Sequence, residues 1–268
     1  MGSPTYRIRG LILKRTKLGE SDVICTILAE NGSQIRAVAK GARKPSSSLS
    51  SRVELFSLCD LLVVKGKSLD IIKEARLVEG NAALRLDLRL TEAASPMVEL
   101  LERVTLDSLD NPKLYSLTTK ALSTLCSKRN NPSVFLTICA AQLLKAVSIS
   151  GFKPELQACI GCGATDELPH AQQLGRCVAF SYIEGGLLCS QCSSLYETQW
   201  LDPAILQWAH ILMYSTFEQI ESYTLSPDIQ IELLRFIQTW VKTHIGYTLK
   251  SLTYIFSYGM QEQALLKQ

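Results

Sequence analysis

Cys159-Ile160-Gly161-Cys162-Gly163 and Gly185-Gly186-Leu187-Leu188-Cys189-Ser190-Gln191-Cys192 are the two runs that decide how this chain is built. Each contains a C-x-x-C pair, and about twenty-six residues separate the pairs, as in the two halves of one tetrahedral metal site. A C-x-x-C turn brings two thiolates to one point, and Gly161 and Gly163 supply the backbone freedom that so tight a turn demands. Four sulfurs at ~2.3 Å suit Zn2+ and leave no coordination position open. The expected cofactor is therefore one structural zinc ion on Cys159, Cys162, Cys189 and Cys192, a device for folding a segment rather than for chemistry. The competing reading is a thiol–disulfide redox protein. That chemistry needs a single pair at a helix start in a βαβ setting, and no such pattern flanks either pair. Cys177 lies between the pairs, as a substitute ligand or a small packed residue. Cys25, Cys59, Cys126 and Cys139 fall in apolar patterns and read as core.

Ahead of this segment the chain changes period once. Tyr6–Leu13 alternates as a strand, and polar Lys14–Asp22 with Gly19 reads as a turn. Val23–Ala29 is a second strand, joined through the hairpin signal Asn31-Gly32 to a third over Ser33–Lys40. A serine-rich basic stretch, Gly41–Arg52, reads as a mobile polar loop. Leu55–Lys65 and Leu69–Val78 complete five short strands in about eighty residues, the pattern of a small OB-type barrel. From Asn81 to Ser150 the apolar period becomes helical. Asn111-Pro112 and Asn131-Pro132 mark starts, and Gly151 marks a stop, giving three antiparallel helices. Beyond the cysteines, Asp202-Pro203 and Ser226-Pro227-Asp228 open two more helices, and the tail from Lys250 is short and mixed. The fold class expected is α+β and multidomain. An OB-fold β-barrel spans 1–80, a helical body 81–155 and 199–268, and a zinc-binding four-cysteine insertion 156–198.

Net charge is only +3 at pH 7, but it is unevenly spread. Residues 1–80 hold 14 Lys and Arg against 8 Asp and Glu, a balance of +6, whereas the remainder holds 14 against 17, a balance of −3. A basic front end on a mildly acidic body is the footprint of a polyanion binder. The candidate phosphate contacts are Arg7, Arg9, Lys14, Arg15, Lys17, Arg36, Lys40, Arg43 and Lys44, with Arg43 and Lys44 favoured for their place on the polar loop. Lys65, Lys67, Lys73 and Arg76 read equally well as a solvated strand edge. Tyr6 and Phe56 are the module's aromatics, and Phe56 reads as core, so backbone electrostatics is expected to outweigh base stacking.

Enzyme chemistry finds little footing. His170, His210 and His244 sit far apart and outside any ligand or hydrolase motif, and no P-loop, G-x-G-x-x-G or G-x-S-x-G occurs. The chain starts Met1-Gly2-Ser3-Pro4 without an apolar leader, and no charge-free apolar run reaches ~18 residues. The expected setting is a reducing cytoplasm with no membrane partner.

Several short motifs, in order, carry a resemblance. They are Gly10-Leu11-Ile12-Leu13, Gly19-Glu20-Ser21-Asp22 and Val38-Ala39-Lys40-Gly41-Ala42-Arg43-Lys44 at the front. Gly151-Phe152-Lys153-Pro154-Glu155-Leu156 precedes the first cysteine pair, Gly185-Gly186 precedes the second, and Leu249-Lys250-Ser251 follows near the end. In this order and spacing the chain resembles the bacterial recombination mediators of the RecO family, over nearly its whole length. The resemblance implies a non-catalytic, nucleoid-associated bacterial protein of DNA repair and homologous recombination. Such a protein binds single- and double-stranded DNA and anneals complementary strands. Its implied partners are RecR, the acidic C-terminal tail of single-strand-binding protein and, indirectly, RecA. An RNA-binding or adaptor protein using the same barrel is the remaining alternative.

Overall fold

The computed structural model describes residues 4–107, 109–165 and 175–265, with side chains followed to Ser257. The chain divides into two compact units, Met1–Pro132 and Ser133–Gln268. The change from strand to helix near residue 80 is therefore not where compactness breaks: the first helices pack with the barrel.

In the first unit five strands close a barrel: β1 (Thr5–Leu18), β2 (Asp22–Ala29), β3 (Gln34–Ala39), β4 (Leu58–Val64) and β5 (Asp70–Glu79). Their spatial order is β1-β2-β3-β5-β4, the closed five-stranded arrangement expected of an OB-like module. β1 is longer than its apolar pattern. Polar Lys14–Leu18, expected as a turn, continues the strand, because a register shift between Ile12 and Lys14 re-aims the backbone. The first half of β1 pairs with β4 and the second with β2. A three-residue parallel pairing, Ala37–Ala39 against Asp70–Ile72, closes the ring between β3 and β5. Ile12, Cys25, Ile27, Ala37, Ala39, Cys59, Leu61, Val63 and Ile72 fill the interior.

The serine-rich connection from β3 to β4 is not a free tether. Lys44 N–H donates to the Gly41 carbonyl, Ser47 to Lys44, Ser50 to Ser47 and Val53 to Leu49, so the segment is a chain of hydrogen-bonded turns. Ala42, Leu49 and Val53 from it enter the barrel core. Helices α1 (Ala83–Leu86), α2 (Leu88–Val104) and α3 (Pro112–Ser127) follow, with α2 set against β1 and against α3. Asp87 caps α2 by accepting from the Arg89 and Leu90 N–H groups. The Asn31-Gly32 turn seats on the α2–α3 connection: Asn31 Nδ2 donates to Asp110 at 2.9 Å and Gln34 N–H to the Leu106 carbonyl at 3.0 Å.

The second unit is built on α4 (Phe135–Ile149), flanked by α5 (Pro203–Tyr214) and α7 (Pro227–Ile245), with α6 (Phe217–Ile220) against it. The three antiparallel helices expected from the sequence are thus split, α2 and α3 staying with the barrel and α4 centring the second unit. The window Pro132–Ile149 is apolar and long enough to span a membrane, but 67% of it is buried. Its apolarity is that of a core helix packed among its neighbours. A three-stranded sheet, in the order β7 (Gly186–Leu188), β6 (Val178–Ser181), β8 (Gln199–Leu201), carries the second cysteine pair. The tail expected to be mixed is a helix, α8 (Lys250–Leu265). Its buried Leu252 and Ile255 follow buried Leu249 at helical spacing.

Candidate metal centre and nucleic-acid interface

The four expected ligands meet. Cys159, Cys162, Cys189 and Cys192 bring their sulfurs within 4.8 Å of one another. Four ligands at ~2.3 Å from one tetrahedral ion lie about 3.8 Å apart, and Cys162 Sγ and Cys189 Sγ are at 3.6 Å, far beyond a disulfide's ~2.05 Å. Cys177 is exposed and stands outside the cluster.

Local backbone geometry makes each knuckle. Cys159 N–H donates to the Ala164 carbonyl at 2.7 Å, and Gly163 N–H to the Cys159 carbonyl at 2.8 Å, with Gly163 at φ +80°. A Cβ on Gly161 would stand 2.9 Å from Cys192 Sγ, so glycine there is what lets the second pair approach the first. Gly186 has the same role one layer back. A Cβ there would meet the Glu155 carbonyl at 2.7 Å, where Leu187 N–H donates to that carbonyl and Ile160 N–H donates to the Leu187 carbonyl. Ala179, Leu188 and half-buried Ile160 pack against the sulfurs. Behind the sheet, Phe180 meets Phe236 of α7 edge-on and Tyr182 packs at a tilt on Phe236 and Trp240, and Trp240 Nε1 donates to the Phe152 carbonyl at 2.8 Å.

The electrostatics of the four sulfurs favours a cation. Burial opposes ionisation of Cys159, but the N–H groups of Cys189, Cys162 and Gly161 converge on its sulfur and bring its pKa down to about 6. Cys192 goes the other way, pushed up to about 12 by its hydrogen bond to Cys189 and by burial. Four thiolates cannot coexist this close unless a positive ion lies between them. The donor set, its separations and its backbone N–H bonds therefore form a site that can hold a metal ion, and all-sulfur ligation fits zinc.

Six of the nine expected phosphate contacts fall in two regions of the barrel, and Lys14, Arg15 and Arg36 lie along β1 and β3. Lys17, Lys40, Arg43 and Lys44 collect around the β1–β2 turn, because Arg43 N–H donates to the Ser21 carbonyl and Gly41 N–H to Asp22 at 2.8 Å. Arg43 itself is engaged there: its guanidinium donates to the carbonyls of Gly19 and Glu20 at 3.1 and 2.8 Å. Arg36 lies on β3, opposite Thr26, itself opposite Lys14. Lys14 is paired with Glu102 of α2, and Arg15 with Glu54, where it is three-quarters buried. Arg7, Lys17, Arg36, Lys40 and Lys44 are exposed and carry no side-chain hydrogen bond or ion pair among the described residues.

The second region is a groove of about 830 Å³ that sequence reasoning did not anticipate. Arg7 and Arg9 line it from β1, Asp60 from β4, Lys73 and Arg76 from β5, and Arg52 from the β3–β4 connection. Arg9, Asp60 and Arg76 stand directly opposite one another on three adjacent strands. The Arg9 and Arg76 guanidinium groups hold the Asp60 carboxyl at about pKa 2, well below the usual carboxylate range. β5 past Ile72 outruns its pairing with β3, and Arg52 covers part of that free rim by donating to the Ala75 carbonyl at 2.9 Å. Lys73 and Arg76, which read equally as a solvated edge, thus share a concave surface with Arg7 and Arg9. Only the strand register reveals this. Tyr6 is half-buried, with its hydroxyl donating to Asp70 and Lys65 Nζ over its ring at 6.0 Å, and Phe56 is fully buried at φ +65°, so neither presents a fully free stacking face. Of the histidines, His210 packs on Tyr214 and His244 on Trp240, while His170 lies outside the described residues.

Two family models match the chain: Recombination protein O N terminal over residues 1–81 and Recombination protein O C terminal over residues 85–253. Proteins named DNA repair protein RecO align over most of it. That of Alkaliphilus metalliredigens is 28% identical over 240 residues, covering 89% of this chain and 93% of its own length. That of Bifidobacterium longum (strain NCC 2705) is 27% identical over 254 residues, 94% and 99% of the two chains. That of Cutibacterium acnes is 35% identical over 192 residues, 70% and 74%.

Proposed function

The chain belongs to the RecO family of DNA repair and recombination proteins, and on that premise we propose that it is a non-catalytic strand-binding and strand-annealing protein of homologous recombination. It binds single- and double-stranded DNA through the cationic barrel surface. With RecR, and through the acidic tail of single-strand-binding protein, it helps load RecA on coated strands in the bacterial cytoplasm and at the nucleoid. One structural Zn2+ on Cys159, Cys162, Cys189 and Cys192 keeps the second unit's sheet in shape and takes no part in strand exchange.

The observation that carries this reading is the closed barrel whose exposed Arg7, Lys17, Arg36, Lys40 and Lys44 make no side-chain hydrogen bond or ion pair among the described residues. Unpaired cations on a barrel wall neutralise phosphates and release counterions, and they need no base contact to do so. Annealing follows from the same charge. Two strands repel through their phosphates, and a surface that neutralises both lowers that cost without nucleotide hydrolysis. The proposed contacts comprise Arg7, Arg9, Lys14, Arg15, Lys17, Arg36, Lys40, Arg43 and Lys44. Engagement with Glu102, with Glu54 and with the turn carbonyls leaves Lys14, Arg15 and Arg43 the lesser shares.

The test is oligonucleotide binding and annealing across a salt series. Lys17→Gln, Arg36→Gln, Lys40→Gln and Lys44→Gln together are expected to flatten the plot of log affinity against log salt by about 0.7 per lost phosphate contact. They should also slow annealing in proportion. Unchanged affinity, slope and annealing rate would remove the barrel from the DNA-binding surface. Stronger binding to RNA than to DNA of equal length would favour an RNA-binding role instead.

A further inference from the structure

Asp60 is the one acidic side chain of the β4 wall and stands between two arginines. Arg9 Nε donates to its Oδ1 at 2.8 Å and Arg9 Nη2 to its Oδ2 at 3.3 Å, while Arg76 Nη2 approaches the same Oδ2 from the neighbouring strand. The Arg9 contact is the fork-to-fork arrangement that a guanidinium makes equally with a carboxylate or a phosphate. Two oxygens shared between two guanidinium groups occupy the positions that the non-bridging oxygens of one phosphate diester would take. The residue is accessible: the Arg9, Asp60 and Arg76 side chains are 43%, 29% and 79% exposed. They line the 830 Å³ groove, whose other cations are Arg7, Arg52 and Lys73 and whose other acids are Glu30 and Glu74.

Resting on the DNA-binding reading above, we propose that Asp60 is a built-in stand-in for a DNA phosphate. It fills the Arg9 and Arg76 forks in the free protein and sets the affinity for single strands by competing with the phosphate that replaces it. An exposed ion pair of this kind contributes little to stability, so its more consequential effect is on the groove. With Asp60 charged, five cations face three acids; with Asp60 neutral, they face two. A protein that must first coat strands and then give them up gains from a site whose grip is weakened by its own carboxylate. The internal competitor is always present, at a fixed distance, and is insensitive to pH through the physiological range.

The experiment measures single-stranded oligonucleotide affinity across a salt series for the full chain and for Asp60→Asn. The neutral variant is expected to bind about three- to tenfold more tightly at low salt, with a slope steeper by about 0.7–1.4, the signature of one to two added phosphate contacts. Asp60→Glu, which keeps the charge, should stay within about twofold of the parent, and Asp60→Ser serves as a second neutral side chain should asparagine disturb folding. In an Arg76→Gln background the gain from Asp60→Asn should shrink, because one released fork is gone. If the parent chain binds DNA and the neutral variants bind equally or more weakly, the stand-in role is overturned while the DNA-binding reading survives. A parent chain that ignores DNA at low salt overturns both.

Discussion

Stripping the proposed zinc with a chelator, or replacing Cys189 by serine, is expected to melt the described residues 155–165 and 175–201 and leave the barrel folded. The sheet β6–β8 is short, its strands of four, three and three residues, and such a piece does not hold itself together in water. What holds it at the knuckle end is the sulfur cluster, and structural zinc contributes on the order of 10 kcal/mol in small sites of this kind. What holds it at the other end is the aromatic cluster of Phe180 and Tyr182 on α7. Loss of the proposed metal is therefore expected to free the knuckles first, with fraying spreading inward to that cluster. Amide hydrogen exchange before and after chelation is the measurement, with metal content recorded on the same sample. Protection at Ile160, Leu187 and Cys189 should fall to that of an unstructured chain while protection at Ile12, Cys25 and Ile27 persists. Protected knuckles in a metal-free sample would show that the segment does not depend on an ion.

The second large effect is expected from Gly32→Ala. Gly32 sits at φ +87°, and a Cβ there would come within 2.0 Å of the Asn111 carbonyl oxygen and 2.1 Å of its carbon. Both are backbone atoms that cannot swing aside. The β2–β3 turn would have to lift from the α2–α3 connection, giving up the Asn31–Asp110 and Gln34–Leu106 hydrogen bonds. A loss of ~3 kcal/mol or more is expected from overlap and broken bonds together. Gly19→Ala is the control, since Gly19 has φ +57° but nothing within 4 Å of its Cβ position, and only the backbone cost of ~1 kcal/mol applies. Denaturant midpoints compare the two. Equal shifts would mean that the turn does not seat on that connection.

Much of this was legible in the chain. Paired cysteines with glycines at the knuckles specify their own meeting point, because a four-sulfur tetrahedral site requires only that the two pairs converge, whatever lies between them. Asn31-Gly32 fixed a hairpin, and Asp202-Pro203 and Ser226-Pro227 fixed helix starts, since caps and turns are settled by two or three neighbouring residues. Lys14–Leu18 misled because a strand facing solvent on one side is polar there, and a register shift is invisible until the partner strand is known. The tail from Lys250 misled because the helix buries a narrow stripe, Leu252 and Ile255, amid polar residues. The cation sites were half legible. Residue type gave nine candidates, but whether a cation is spent internally depends on a partner far along the chain. Asp60 is 51 residues from Arg9, and Glu102 is 88 from Lys14. The groove with Arg52, Lys73 and Arg76 needs the pairing of β1, β4 and β5, which no local pattern encodes.

The ring closes through three residues of β3 against three of β5, and this has a bearing on biosynthesis. While the polypeptide is being made, β1, β2 and β3 emerge as an open meander, the edge of β1 waiting for β4 and the edge of β3 for β5. At translation speeds of ~5–20 residues per second, the roughly forty-residue delay lasts on the order of seconds. Until β4 covers the first half of β1, Arg7, Arg9, Lys14, Arg15 and Lys17 stud that strand with like charge, an arrangement expected to repel a second nascent copy. Neutralising the side chains proposed to grip a nucleic acid in the mature molecule is therefore expected to lower the soluble yield on expression as well as the affinity.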